Sequence, residues 1–385
     1  MMELLLKPIL VVGVILGLAA CEPINLSGGG SAPSSGEAVP VALLVPGRSG
    51  DSQQDALAQS LENAARLAIA DLDGVAIDLR VYNTAGSPEQ AAISAREAVD
   101  QGADIILGPL FAESANAAGN ATAPQGVNVL AFSNNPAIAG GNVFILGSTF
   151  ANTAERLVNH AKANGKSRIF VVHAESIAEE VARDAVLTAL ARSGITVAGV
   201  ASFELSQQGV VGAIPGMAQQ IKQANADAII FTSGNEGAMS FLAQLLPENG
   251  ISPTEIQFIG MARLDIPPQA MSQPGLQDSW FVLPDPGLND RFRARYQTAY
   301  GAPPIEIAGR AYDGIAAIGA LAQQNDPEPF GRASLTRSSG FVGVDGIFRL
   351  KPDGTNERGL AVAQIRNNMV SVIDPAPRRF AGPGF

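Results

Sequence analysis

From Val39 onward the chain alternates short aliphatic runs with longer stretches of helical periodicity, and this beat restricts the possible folds more than any other feature. VPVALLV (39 to 45) is a continuous apolar run, as expected of a parallel strand buried on both faces. DALAQSLENAARLAIADL (55 to 72) follows, with Leu57, Leu61, Ala64, Ala65, Ala68 and Leu72 on one helical face. AIDLRVYN then alternates like a strand. In SPEQAAISAREAVDQG, Ser87 can cap a helix, Pro88 suits its first position, Gln90 stands where a capping-box partner belongs, and Gly102 can close it. ADIILGPL and VNVLAFS continue as strands around a helical stretch near 115 to 123.

A second series starts near Asn152: NTAERLVNHAKANG, the strand RIFVVH, a helix over 178 to 193, the strand TVAGVASF, a helix over 213 to 225, and the strand DAIIFTS. Such alternation predicts right-handed βαβ units and two doubly wound α/β sheets covered by helices, read as two similar lobes. IILGPLFAES and IIFTSGNEG match in form, each running strand, glycine-containing loop, helix. Helices over about 290 to 300 and 309 to 323 come next, then two alternating runs around the turn KPDG, a C-terminal antiparallel hairpin.

The amino terminus has a different character. Pro8 to Ala20 is uncharged and aliphatic, too short to span a bilayer but the length of a signal-peptide apolar region. The order Leu18-Ala19-Ala20-Cys21 resembles the lipobox of bacterial lipoproteins, which makes Cys21, the single cysteine, a lipidation site. By the same resemblance Glu22, in place of an aspartate, favours the outer membrane facing the periplasm. A lone cysteine allows no internal disulfide. A Gly/Ser/Pro-rich tether follows to residue 38, and DPAPRRFAGPGF closes the chain as an expected disordered tail over 374 to 385. The net charge of −11, without an acidic block, disfavours nucleic acid and anionic headgroups as partners.

VALLVPGRSG, NAARLAIAD, DLRVYNTAGSPEQAA, IILGPLFAES and GVNVLAFSNN resemble, in order and spacing, the first lobe of the type I periplasmic binding proteins of the leucine-binding group. NDRFRARYQTAYGAPPIEIAGRAYDGIAAIGALA resembles the late helices of that group, where the chain returns to lobe one. The resemblance implies two Rossmann-like lobes: 39–152 with 283–340, and 153–282 with 341–373, after a signal peptide over 1–20. SLENAARLAIADL with FSNN and the lipobox is most similar to the alphaproteobacterial lipoproteins grouped as penicillin-binding protein activators.

In that fold a ligand sits between the lobes, at loop tips beyond the carboxyl ends of the strands. The candidates in lobe one are Ser49, then Phe111, Ala112, Glu113 and Ser114, then Ser133, Asn134 and Asn135. Lobe two offers His173, Glu175, Ser233, Asn235, Glu236 and Arg263. The same residue types are also favoured in turns and at helix N-caps for purely local reasons. By the resemblance, Ala112 stands where a carboxylate-binding serine is usual, with Ser114 two residues on. Arg263 stands near the expected ammonium-binding glutamate, for which Glu236 or Glu175 could substitute. An anionic ligand on Arg263, or an empty cleft, is equally open.

The residues give little sign of catalysis. The two histidines, His160 and His173, form no metal motif; His160 is expected on a helix surface, and His173 ends a strand at a cleft loop. There is no G-x-S-x-G elbow, and NGKS (164 to 167) lacks the first glycine of a phosphate loop, so Gly165 is read as a helix C-terminal residue. No cofactor and no metal are expected. The resemblance implies a non-catalytic activator of a peptidoglycan synthase, with a penicillin-binding protein as partner. The alternative is the substrate-binding lipoprotein of an ABC-type importer for branched-chain amino acids or a small organic anion, with a permease as partner.

Overall fold

The computed structural model of the protein describes residues 38–324 and 326–380. The expected signal peptide, the lipidation at Cys21 and the tether up to residue 37 lie outside the described residues, as does the tail from 381.

The first lobe takes the chain through β1 (Val39–Val45), α1 (Ser52–Ala70), β2 (Ile77–Asn83), α2 (Pro88–Asp100), β3 (Ile105–Leu107), α3 (Ala112–Thr122), β4 (Asn128–Ala131) and β5 (Val143–Ile145). The sheet is wholly parallel, in the order β2-β1-β3-β4-β5. The unbroken apolar run of β1 now has its reason: Val41, Leu43 and Val45 enter the core on one face, Ala42 and Leu44 the core on the other. α1 begins three residues before the expected start because Asp51 caps it, accepting from the Gln53 amide at 2.8 Å. Ser87 caps α2 as expected, but Gln90 does not complete a box; its side chain donates to Ser94 Oγ instead.

The second lobe runs through α4 (Phe150–Ala163), β6 (Arg168–Ala174), α5 (Ile177–Ser193), β7 (Thr196–Phe203), α6 (Gln207–Gln223), β8 (Ala228–Phe231), α7 (Met239–Glu248), β9 (Gln257–Gly260) and β10 (Trp280–Leu283). The chain then returns to lobe one with α8 (Pro286–Tyr300) and α9 (Gly309–Ala322), where Phe292, Tyr296, Ile315 and Ile318 join Leu43 and Leu61 in one core.

The carboxyl-terminal region departs from the single expected hairpin. β11 (Phe341–Gly343), β12 (Gly346–Leu350) and β13 (Asn356–Arg358) form a separate antiparallel sheet, with the KPDG turn between the last two and Gly354 at φ +81°. β14 (Ala361–Arg366) and β15 (Met369–Asp374) form a second hairpin that extends the second sheet, in the order β15-β14-β10-β9-β8-β6-β7. Its turn is Asn367-Asn368, both at positive φ, the conformation a two-residue hairpin needs. Phe341, Phe348 and Leu350 pack into the core of lobe one, whereas Ala361, Ala363 and Ile365 belong to lobe two. Residues 341–350, expected with the second lobe, therefore pack with the first, and the chain crosses after Arg358.

The expected disordered tail needs a similar correction for residues 374–380. Asp374 lies 2.9 Å from Arg156 Nη1 and 3.1 Å from His160 Nδ1, Ala376 is buried, and the Phe380 ring lies under Arg349. His160, expected on a helix surface, is 7% exposed and stands edge-on to Trp280, because its face of α4 packs on β10.

Candidate functional site

The chain crosses between the lobes near 147–150, 284–286 and 358–361, and polar contacts tie the crossings together. Asn356 Nδ2 donates to the carbonyls of Ile145 and Gly147, both at 2.8 Å, while Asn152 Nδ2 donates to the Asn356 carbonyl at 3.0 Å. Beside them lies a cavity of about 600 Å³. That is within the size range of small-molecule sites.

Both lobes wall this cavity. Met261, Arg263 and Ile266 come from the loop after β9, and Val282 to Pro284 from the end of β10. Facing them are Asn289, Phe292 and Arg293 of α8, Glu306 and Ile307 just before α9, Arg310 in its first turn, and Asp345 between β11 and β12. Arg358 and Leu360, at the third crossing, close one side.

The four arginines differ in what they hold. Arg263 gives both arms to Asp265, at 2.7 and 2.6 Å; burial alone would lower its proton affinity, but the Asp265 carboxylate raises it above the usual range. Arg358 donates to the Leu146 carbonyl and lies 3.0 Å from Asp313 Oδ2, so its fork is filled. Arg310 donates from Nη1 to the Phe132 carbonyl at 2.6 Å, at the end of β4. Burial and the neighbouring Arg358 push its pKa down to about 10, and the carboxylates of Asp345 and Glu306 offset this only in part. Arg293 is exposed at the mouth with Asp290 and Glu306, whereas Asp345 accepts from Asn289 Nδ2 at 2.8 Å.

Of the fourteen residues named from the sequence, Arg263 alone lines this cavity. The others stand at strand tips and are mostly engaged locally. The Ser49 hydroxyl accepts from the Asp51 amide, and that of Ser133 from the Asn135 amide. Asn135 caps a short helical turn by accepting from the Ala137 amide, and Asn134 is exposed. Phe111 is the N-cap of α3, Ala112 and Glu113 open its first turn, and Ser114 is buried with its hydroxyl unpartnered. In lobe two, Glu175 accepts from Ser202 Oγ, Glu236 is exposed, and Asn235 donates to the carbonyls of Leu264 and Ile266. His173 is buried, with Nδ1 3.0 Å from the Ala174 carbonyl, and does not reach the cavity wall. Ser233 donates to Glu179 Oε2, which also accepts from Thr232 Oγ1 and the Ala174 amide.

Glu179, Glu306, Arg310, Asp345 and Arg358 escaped the sequence reading. One signal was available: Arg310 and Asp313 are the two charges in the otherwise uncharged run from Ile307 to Ala322. A charge on an apolar helix needs a partner or a ligand.

The sequence matches the model of a family described as periplasmic binding protein over residues 38–369. No curated protein sequence matches it. Among solved structures, a Rhodospirillum rubrum protein named as a branched-chain amino acid ABC transporter superposes with a TM-score of 0.74 at 19% identity, over 88% of this chain and 100% of that one. A substrate-binding protein of an ABC transporter from Desulfitobacterium hafniense, in complex with Leu, gives 0.63 at 16% identity, over 88% and 100% of the two chains. A solute binding protein from R. palustris in complex with benzoate gives 0.56 at 15% identity, over 90% and 99%. With two lobes, a walled cavity between them and a family match over most of its length, the chain belongs to the periplasmic binding protein family.

Proposed function

We propose that the protein is the solute-binding component of an ABC-type importer, capturing a small solute between its lobes and presenting it to a permease. The cavity carries this proposal: it takes walls from both lobes and sets charged side chains beside apolar ones at the carboxyl ends of β9 and β10. A site divided between two bodies, joined by short crossings, suits capture by hinge closure. Structural relatives named as an ABC transporter protein and as a substrate-binding protein of an ABC transporter support the assignment.

The lining residues include no histidine, cysteine or lysine, and their charged groups are ones suited to recognising a solute. Binding without bond breaking is the role we assign. The family places the protein in the periplasm, and a lipid on Cys21 would tether it to a membrane there. Capture for import is favoured over activation of a peptidoglycan synthase, for which neither the cavity nor the relatives supply an observation.

Thermal unfolding of the full chain against amino acids, small organic acids, sugars and polyamines tests the assignment. A true ligand at 100 times its Kd adds about 2.7 kcal/mol of stability. A panel in which nothing shifts the transition would overturn it.

A further inference from the structure

Arg310, half-buried, stands apart from Arg263 and Arg358, the other cations that face into the cavity. Its guanidinium carries five N–H donors, and it makes one hydrogen bond to the described protein, from Nη1 to the Phe132 carbonyl. Arg263 and Arg358 have spent theirs on Asp265, on Asp313 and on the Leu146 carbonyl. Arg310 therefore has an open fork beside a second cation. The pKa of about 10 has the same origin: burial and Arg358 act against its charge, and the nearby carboxylates do not make up the deficit. An incoming carboxylate would supply the missing counter-charge and accept two N–H bonds in the planar arrangement a guanidinium favours.

The acids around the cavity are poorly placed to receive an ammonium group. Asp265 is held by Arg263 through both arms. Asp345 accepts from Asn289 and already faces the positive charges of Arg263 and Arg310, which oppose a further cation, and Glu306 and Asp290 are exposed at the mouth, where water screens them. Beside the polar Ser148, Thr153 and Asn289, the wall offers apolar surface at Met261, Ile266, Val282, Phe292 and Leu360 to an uncharged body.

We infer that the captured solute is a hydrophobic monocarboxylate without an adjacent ammonium group, and that Arg310 anchors its carboxylate. This rests on the solute-binding role proposed above and names the chemistry of the same cavity.

Calorimetric titration of the full chain with matched probes tests the inference. Isocaproate, leucine and leucinamide share one side chain and carry the carboxylate alone, both charges, or the ammonium alone; benzoate and benzamide repeat the comparison on a ring. The expected result is binding of isocaproate or benzoate, with leucine at least about tenfold weaker and both amides weaker still. Arg310→Gln should weaken the acid at least about tenfold, and Arg310→Lys should restore part of the loss. The acid and amide comparison on the unaltered protein keeps the test valid if a variant fails to fold. Leucine binding as tightly as isocaproate, an amide matching its acid, or an unchanged acid Kd in Arg310→Gln would each overturn the inference. Binding of sugars or other neutral solutes alone would overturn it and leave the solute-binding role standing. Silence of these probes and of the wider panel would overturn both.

Discussion

Arg358 Nη1 lies 3.0 Å from Asp313 Oδ2, with the two side chains 4% and 0% exposed. The pair joins the third crossing of the chain to α9, one helical turn from Arg310. Burial pushes the Asp313 carboxyl up, while Arg358 and the Val344 amide, which donates to Oδ1 at 2.7 Å, favour its charged form. Arg358 is further held by the Leu146 carbonyl and by the face of Phe348.

Asp313→Ala should destabilise the protein by about 3–5 kcal/mol, because it strands a buried guanidinium. Urea denaturation reads the loss directly. The double substitution Asp313→Leu with Arg358→Met should recover much of it, since neither charge is then left alone.

Gly343→Ala should disturb the same pair from the other side. A Cβ there would fall 2.0 Å from Asp313 Oδ1, so the carboxylate must leave the Val344 amide. Overpacking of this kind costs about 1–3 kcal/mol. In a double-mutant cycle with Asp313→Ala the two losses should be less than additive, because the second change removes what the first displaces.

Acid should loosen the strap formed by the residues after β14. His160 fits the neutral tautomer with its proton on Nδ1, donating to Asp374 and accepting from Asn164 Nδ2 at Nε2. Burial depresses the His160 pKa below 6.5, and Asp374 only partly reverses this. For Asp374, burial acts upward, but Arg156 and His160 outweigh it and hold the carboxyl below 3.8. Both folded values lie below the unfolded ones, so both groups lose stabilisation as pH falls: His160 from about pH 6.5 downward, Asp374 below pH 4. Denaturation midpoints should drop from pH 7.5 to pH 5, and His160→Gln should flatten that part of the profile. An NMR titration placing His160 above 6.5 would contradict the assignment.

Removing Arg263 and Asp265 together should change solute affinity by no more than about threefold, or about 0.7 kcal/mol. Each satisfies the other, so Arg263→Gln with Asp265→Asn takes away a closed pair. Comparing its Kd for a bound acid with that of Arg310→Gln by calorimetry separates a structural salt bridge from an anchor.

The sequence carried the strand and helix alternation well, because each βα unit writes its burial pattern locally. β1 reads as a two-faced strand and its seven residues coincide with the run VPVALLV; Ser87 and Pro88, two adjacent residues, mark the start of α2. The Asn367-Asn368 turn is overshadowed in sequence by KPDG, so two hairpins read as one although both asparagines suit the positive φ they adopt. His160 shows a further limit: helical periodicity placed it on a face, but whether that face meets water or Trp280 depends on a strand 120 residues later.

What the sequence determined by itself was the order of elements, which rests on short-range periodicity that survives in one dimension, and the family resemblance, which rests on a series of motifs in order. The tertiary structure alone decided which charges are satisfied. Arg263, placed opposite an expected ligand group, turned out to hold Asp265 two residues away, while Arg310 was set with an open fork beside Arg358, from a separate stretch of chain. Hydrogen bonds and ion pairs are contacts of a few ångströms between segments that folding brings together, so no local pattern can say which cation is left for a ligand.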